Sequence, residues 1–475
     1  MKACIKNNLM GHEKAGKKCL AVLLIILTIV LSGCGNGKAT VTNPGGMKKV
    51  GSYNVEQEVT YTDESEREAV KARVSSADGL CVIEEHDSYY DVTLDYEKGT
   101  PTQVGEAYAE TILKACPDYE ARLEPYLYEN IKMTFDGREV NYDSLEKRIR
   151  TLEANIPEEY RIELESFAKA MSRGEEGFQE NGRLSYIELL TAQMIPDALR
   201  PTACSALSLW GTKTTTGERI SLRNLEWRIG STGQMTGIHA VTRMKKGDGS
   251  LTMISMLGLF DVITAVNDDG VMLGILDVGS KLPAPFVYEG KKCYTYEARY
   301  ALEHFSTARE AGEFLVGESG DFTWCNNLFL TDKEEAFCCE NATEEVAAAG
   351  RARSVLRDAA SELPEGLKWD NPDSLCVVNS FATKGNQDAF SGEPYNMNRW
   401  MKYRNYVREK EKFSLGDVKA IMAHEIVDQH EVANVHNSGT VHTVIVDYAT
   451  GTIHVSFTKG MMAEDVPHFV DIGRY

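Results

Sequence analysis

The stretch "CSALSLWGTKTTTGERISLRNLEW", residues 204–227, places a cysteine at the first residue of a strand-rich region. Arg223 and the carboxylate of Glu226 follow Cys204 at short range. A free thiol has a pKa of about 8.5, and a neighbouring cation lowers that pKa. The pattern makes Cys204 a candidate nucleophile. The alternatives are a small buried cysteine and a surface ion pair between Arg223 and Glu226.

The regions before and after this cysteine differ in hydrophobic pattern. Residues 62–200 are mostly helical in pattern; "YRIELESFAKAM", residues 160–171, has its apolar side chains on one helix face. From residue 204, short β-rich runs are joined by turns such as "NDDG", residues 267–270, and helical stretches interrupt them. Helix caps are predicted at Thr307 with Glu310 and at Ser414 with Asp417. This order predicts an α+β fold of antiparallel sheets with helices packed outside.

The first residues have the pattern of an export signal. Lysines precede the apolar run "LAVLLIILTIVL", residues 20–31, which is shorter than the roughly 20 residues of a membrane span. The run ends in "LSGC", which resembles a bacterial lipobox whose cysteine, Cys34, receives lipid. We expect a signal peptide at 1–33, a flexible tether at 34–50 and an extracytoplasmic protein held at the bacterial cell membrane by lipid alone.

Charge and cysteine spacing argue against nucleic acid and metal ions as partners. The net charge of −20 argues against nucleic acid as an electrostatic partner. The cysteines show no CxxC spacing, and "HEIVDQH", residues 424–430, lacks the i, i+4 histidine pair of a zinc helix. We therefore expect no metal and no organic cofactor. Most of the other cysteines are expected to be small buried hydrophobes, and the sequence does not determine a disulfide pairing.

The 204–227 stretch and the segments after it resemble, in order, a Cys-type N-terminal-nucleophile hydrolase. This family includes choloylglycine hydrolases, acid ceramidase, penicillin V acylase and acyl-CoA:6-aminopenicillanate acyltransferases. The matching segments are "AVNDDGVMLGILD", "ARYALEHFSTAREAGEFL", "NNLFLTDKEEAFCCE", "CVVNSF" and "NMNRW". The resemblance implies an αββα sandwich of antiparallel sheets. It also implies a helical α-chain at 51–203 before a catalytic β-chain at 204–475.

The resemblance further implies a mechanism. Cleavage between Ala203 and Cys204 frees an α-amine with a pKa near 8, which serves as the base for the thiol. By similarity, Arg223 lies beside the thiol, Glu226 holds the α-ammonium and Arg399 braces the site. The oxyanion is flanked by Asn267 and Asn379.

Four positions depart from the family pattern. Glu226 stands where the family has Asp, and Val378 replaces the Thr before Asn379. Asn396 stands where Ser is usual, and Ser205 follows the nucleophile where Thr is commoner. None of these changes removes a reacting group.

The expected activity is hydrolysis of a small-molecule N-acyl amide through a Cys acyl-enzyme, or transfer of that acyl group. One alternative is a phospholipase-B-like or ceramidase-like lipid hydrolase, since "CSAL" also resembles phospholipase-B-like proteins. Another is an inactive surface lipoprotein that binds a ligand. Relatives often form dimers or tetramers, so a homo-oligomer is one expected state.

Overall fold

Residues Val59–Tyr475 form one compact unit in the structure, a computed structural model. Residues 1–58, which contain the predicted signal peptide, lipidation site and tether, lie outside the described residues. The described residues are 59–135, 138–199, 202–247, 249–278, 286–386, 394–424, 434–464 and 466–475.

Three strands and five helices precede Cys204 among the described residues. The strands are β1 Ala72–Ser75, β2 Cys81–Glu85 and β3 Tyr90–Asp95. The helices are α1 Pro101–Ala115, α2 Tyr119–Thr134, α3 Tyr142–Glu153, α4 Glu158–Ser172 and α5 Tyr186–Ala192, followed by a π-helical turn at Ile195–Leu199. The predicted apolar face of α4 is buried, which confirms the helical period: its members are Leu164, Phe167, Ala168 and Met171.

Thirteen strands and five helices follow within the described residues. The strands are β4 Thr202–Leu209, β5 Ile220–Trp227, β6 His239–Lys246, β7 Gly249–Met256, β8 Thr264–Asn267, β9 Met272–Asp277, β10 Asn326–Thr331, β11 Ala336–Asn341, β12 Val355–Arg357, β13 Ser374–Val378, β14 Thr440–Asp447, β15 Thr452–Phe457 and β16 Phe469–Arg474. The helices are α6 Tyr294–His304, α7 Ala308–Glu318, α8 Glu344–Ala348, α9 Pro394–Glu409 and α10 Leu415–His424. None of the helices in the described ranges is long and apolar enough to cross a bilayer.

Two sheets form the centre of the unit. The larger has the strand order β1-β2-β3-β6-β7-β8-β9-β10-β11-β12, and the smaller has the order β13-β4-β5-β14-β15-β16. In the smaller sheet, β4 lies between β13 and β5, and Cys204 pairs with Leu225 of β5. The strand that carries the candidate nucleophile is therefore an interior strand.

Helices cover the outer faces of the two sheets. The outer face of the smaller sheet packs on α9 and α10 in a separate hydrophobic cluster, which includes Leu207, Leu222, Trp400, Tyr403, Ile421 and Met422. Cys204, Ala206 and Leu225 belong instead to the core shared with the larger sheet. Helices α6 and α7 pack on the larger sheet. The layers run helix, sheet, sheet, helix, and the predicted α+β class is confirmed.

Several local predictions are confirmed. "NDDG" joins β8 to β9, and both predicted helix caps form: the backbone N–H of Glu310 donates to Thr307, and that of Asp417 donates to Ser414. Each of the eight cysteines in the described part of the chain is a buried free thiol.

Three strands near the N-terminus were not predicted from the sequence. Residues 72–95 form β1–β3 within the region 51–203, whose expected character was mainly helical, and five helices follow them before Cys204. These strands are four to six residues long, too short for a clear period of two. Strand β3 also pairs with β6 in parallel, in contrast to the expected antiparallel sheets. The long connection through α1–α5 permits this pairing, because parallel neighbours need a crossover rather than a hairpin.

A buried ion pair fixes the chain that leaves β13. Glu340 on β11 binds the Arg357 guanidinium at 2.9 Å, and the two side chains are 0% and 3% exposed. The same carboxylate accepts hydrogen bonds from the backbone N–H groups of Ala382 and Thr383. Residues 382 and 383 therefore have a fixed position, and they follow Asn379 closely along the chain.

We predict that Glu340→Ala lowers the free energy of unfolding by about 3–5 kcal/mol, because it leaves the Arg357 charge buried and unpaired. Urea unfolding followed by circular dichroism measures the change. The control is Glu362→Ala, which breaks an exposed pair with Lys384 and should change stability by less than about 1 kcal/mol. Equal effects of the two substitutions would contradict the prediction.

Candidate active site

Cys204 lies where the edge strand β13 ends. The last residue of β13, Val378, pairs with Ser205, so no strand residue faces Cys204 on that side. Side chains bind the backbone groups of Cys204 instead. The Cys204 N–H donates to Asn379 Oδ1 at 2.6 Å, and the Cys204 carbonyl accepts from Arg399 Nη1 at 2.9 Å. Two side chains thus replace the missing ladder and fix the backbone of the candidate nucleophile.

The thiol of Cys204 contacts Arg223. Arg223 Nη2 donates to Cys204 Sγ at 3.1 Å and to the Ile275 carbonyl on β9 at 2.7 Å. Both side chains are fully buried. Burial raises the pKa of the Cys204 thiol, and the Arg223 charge opposes that shift. The predicted contact between thiol and guanidinium is present.

Arg223 reaches this position across a glycine. A Cβ atom on Gly274 of β9 would lie 2.7 Å from Arg223 Cγ, so a side chain there would displace the arginine. The gap between the sheets at this point accommodates the guanidinium only because residue 274 is glycine. The sequence interpretation did not identify Gly274, since its function depends on a contact between two sheets.

Arg399 on α9 connects the other site residues. Its Nη1 donates to Glu226 Oε2 at 2.5 Å, in addition to its bond with the Cys204 carbonyl. Its Nη2 donates to Asn379 Oδ1 at 2.9 Å and to Asn396 Oδ1 at 2.6 Å. One guanidinium therefore links the candidate nucleophile, the carboxylate and two amides.

Asn396 is a positioning residue that the sequence interpretation recorded only as a departure from the family pattern. Its Nδ2 donates to the Asn379 carbonyl at 2.9 Å and to Ser380 Oγ at 3.0 Å. It precedes Arg399 by three residues on α9, a spacing that brings two side chains to one helix face. That spacing is the sequence signal that could have identified Asn396 as a site residue.

Glu226 lies on the other face of the sheet from the thiol. It pairs with Ala203 in the β4–β5 ladder, and Asn224 Nδ2 donates to its Oε1 at 3.3 Å. Its carboxylate reaches Cys204 through Arg399. Burial raises the pKa of Glu226 to about 7, although the Arg399 charge acts to lower it.

Asn267 does not lie at this site, so its predicted position beside the oxyanion is wrong. Its Oδ1 accepts from the Val271 N–H at 2.8 Å, and its Nδ2 donates to the carbonyls of Leu302 and Phe305. It therefore fixes the β8–β9 turn to the end of α6. Val271 immediately precedes β9, whereas the carbonyls near Cys204 belong to Ile275 and Asp277 at the other end of that strand.

The carbonyls at that end of β9 are site components that sequence inspection missed. Asn379 Nδ2 donates to the Asp277 carbonyl, and Arg223 donates to that of Ile275. A backbone oxygen is present at every residue, so the sequence contained no signal for either contact.

The arrangement provides a thiol, a buried cation beside it and an amide group near its backbone. Arg223 Nε and Nη1 have no hydrogen-bond partner within the part of the chain that the structure describes. Both nitrogens are buried, and Nε lies close to Gly274. Among the described residues, no three His, Cys, Asp or Glu side chains are placed to share a metal ion.

No protein-family model and no curated protein matches the chain. Solved structures similar to it include a Caenorhabditis elegans N-acylethanolamine-hydrolyzing acid amidase ortholog, with 13% identity, a TM-score of 0.34, and coverage of 51% of this chain and 92% of that one. A variant of conjugated bile acid hydrolase from Clostridium perfringens has 11% identity, a TM-score of 0.34 and coverage of 57% and 95%. Penicillin V acylase from Agrobacterium tumefaciens has 12% identity, a TM-score of 0.31 and coverage of 54% and 83%.

Bile acid hydrolase and penicillin V acylase are also among the enzymes that the motif order resembles. At these identities and TM-scores the likeness supplies no residue roles. The chemistry of the site is therefore inferred from the contacts of this chain.

We predict that Glu226→Gln changes the pH dependence of stability. Between about pH 4.5 and pH 7 the folded protein keeps a proton on Glu226 that the unfolded chain has lost, so the contribution of this group to stability falls as pH rises. The glutamine variant lacks this pH-dependent contribution. Its free energy of unfolding relative to wild type should therefore rise by on the order of 1–3 kcal/mol from pH 5 to pH 8.

Urea unfolding of both proteins across that pH range provides the test. Glu289→Gln, at an exposed position, serves as the control and should follow wild type. A stability difference between Glu226→Gln and wild type that stays constant with pH would contradict the raised pKa.

Proposed function

We propose that the protein is a Cys-type N-terminal-nucleophile amidohydrolase or acyltransferase that is activated by cleavage before Cys204. The observation that carries this proposal is the 3.1 Å contact between Arg223 Nη2 and Cys204 Sγ, at a residue whose backbone N–H and carbonyl are held by Asn379 and Arg399. A purely structural cysteine needs neither a cation at its sulfur nor two long-range side chains at its backbone.

Activation begins with attack of Cys204 Sγ on the carbonyl carbon of Ala203. The Ala203–Cys204 peptide bond breaks, the acyl group moves to sulfur as a thioester, and the nitrogen of Cys204 becomes an amine. Water then hydrolyses the thioester and returns the thiol. The products are a chain that ends at Ala203 and a chain that begins at Cys204.

Catalysis uses the free α-amine as the base. It takes the thiol proton while Cys204 Sγ attacks the carbonyl carbon of the substrate amide, and the same proton passes to the leaving amine. Water attacks the resulting thioester, and the acid leaves. An amine acceptor in place of water gives acyl transfer with the same acyl-enzyme.

The surrounding residues have supporting roles in this scheme. Arg223 stabilises the thiolate through its contact with Cys204 Sγ. Asn379 donates to the oxyanion; loss of one such donor typically costs on the order of 10²–10³ in rate. Arg399, with Glu226, holds the α-amine end of Cys204 in place. The substrate class is a small-molecule linear N-acyl amide.

We predict that Cys204→Ala leaves the chain uncut and lowers acyl-amide hydrolysis by at least about a thousandfold, because both the nucleophile and the α-amine base depend on this residue. Intact mass and N-terminal sequencing report cleavage, and release of 4-nitroaniline from N-acyl-4-nitroanilides reports activity.

The matched control is Cys376→Ala. Cys376 is also a buried thiol, on the adjacent strand β13, but it belongs to the cluster on the outer face of the sheet. This variant should be cut and active. Active wild-type protein with residues 203 and 204 still joined would contradict the mechanism, and unchanged function in Cys204→Ala would favour the ligand-binding alternative.

We also propose that the protein is exported and held at the membrane by lipid on Cys34, on the basis of the "LSGC" sequence after an apolar run. Each buried methylene of an acyl chain contributes about 0.8 kcal/mol to membrane binding. Wild-type protein made in a bacterial host should incorporate radiolabelled palmitate, and Cys34→Ala should not. Cys19→Ala, within the signal segment, is the control and should behave as wild type.

A further inference from the structure

A largely apolar cavity lies in the inter-sheet core that also contains the candidate nucleophile. It has about 440 Å³ of space between its lining atoms, part of it continuous with solvent. Its walls include Leu123, Ile195, Leu225, Met256 and Ile263. Leu225 is the cross-strand partner of Cys204 and belongs to the same inter-sheet core. Directly opposed side chains in a sheet lie about 5 Å apart, so the cavity wall at Leu225 is next to the thiol.

One carboxylic acid group lines this apolar space. Asp261 is 0% exposed, and neither of its oxygens has a hydrogen-bond partner among the described residues. A buried carboxyl without a partner is costly, and native proteins rarely keep one without a function. Ser255 Oγ lines the same cavity and also has no partner within the described chain.

The buried charges around Asp261 favour a cation; Arg228 also lines the cavity, but at an exposed position. A second buried carboxyl, Asp197, contributes to raising the pKa of Asp261, after burial itself. Asp197 is already bound by the Tyr294 N–H and the Thr295 hydroxyl, each at 2.7 Å. The nearby cation Arg299 is bound to two other carboxylates, Glu163 at 3.0 Å and Glu303 at 2.8 Å.

We propose that this cavity is the acyl subsite and that Asp261 binds a primary ammonium group at the far end of the acyl chain of the substrate. The inference rests on the proposed amide cleavage at Cys204 and assigns the substrate class: N-acyl amides of amino-substituted, otherwise apolar acids. An ammonium supplies three donors and the charge that compensates the two neighbouring carboxyls.

The separation of Asp261 from Cys204 agrees with an acyl chain of moderate length. Asp261 is two residues from Ile263, whose carbonyl accepts from the Ile275 N–H. The Ile275 carbonyl in turn binds Arg223 beside the thiol. Two residues and one strand spacing give at most about 12 Å from Asp261 to Ile275, and Arg223 connects Ile275 to the thiol through contacts of 2.7 Å and 3.1 Å. An acyl chain that extends from the thiol along the apolar walls would bring its end group to Asp261.

The test compares matched chromogenic substrates. Wild-type protein and Asp261→Asn are assayed with the 4-nitroanilides of octanoic, 8-hydroxyoctanoic and 8-aminooctanoic acid, and hexanoyl and decanoyl pairs bracket the chain length. Asp269→Asn, in the exposed β8–β9 turn, is the control. Wild type and the control should prefer the amino substrate over the unsubstituted one by at least about tenfold in kcat/KM. Asp261→Asn should lose that preference and still cleave the octanoyl substrate.

Equal cleavage of the amino and unsubstituted substrates by wild type would overturn the subsite while leaving the amide cleavage intact. Retention of the preference in Asp261→Asn would overturn the role of that residue. If wild type cleaves none of the anilides, calorimetric titration with 8-aminooctanoate and octanoate decides the inference separately. Tighter binding of the amino acid by wild type, lost in Asp261→Asn, supports the subsite even where the proposed activity fails, and equal or absent binding overturns it.

Discussion

The site depends on the ion pair and the hydrogen bonds that the buried guanidinium of Arg399 makes. This guanidinium contacts the Glu226 carboxylate, the Cys204 carbonyl and the side chains of Asn379 and Asn396 at 2.5–2.9 Å. Arg399 is 4% exposed and Glu226 is 6% exposed, so neither charge is solvated by bulk water. Each partner therefore compensates the cost of burying the other, and removal of either one leaves an unpaired charge inside the protein.

The residues of the site lie on both faces of the smaller sheet. On the inner face, Cys204 and Arg223 meet the larger sheet. On the outer face, Glu226 and Arg399 lie among the helices. In the proposed mechanism the sulfur therefore faces the substrate, while the groups that fix its backbone stay behind the sheet. The end of β13 at Val378 makes this possible, because it leaves the Cys204 backbone free for side chains.

Local predictions from the sequence were confirmed where a strong signal existed. The apolar face of α4 has the helical period, the β8–β9 turn has Asn, Asp and Gly, and the caps at Thr307 and Ser414 have their acidic partners. Strands β1–β3 were missed because they are short. Asn267 was placed at the site by motif resemblance, but its amide is used by the β8–β9 turn and the end of α6.

The sequence by itself determined the α+β class and the proximity of Cys204 to Arg223, because the two residues are only 19 positions apart, on the two strands of one hairpin. Only the tertiary structure decided which distant groups complete the site. Asn379 and Arg399 are 175 and 195 residues from Cys204, and Gly274 and Asp261 acquire their roles from the packing of one sheet on another. Periodicity reports which face of an element is apolar, whereas contacts between elements depend on how those faces pack.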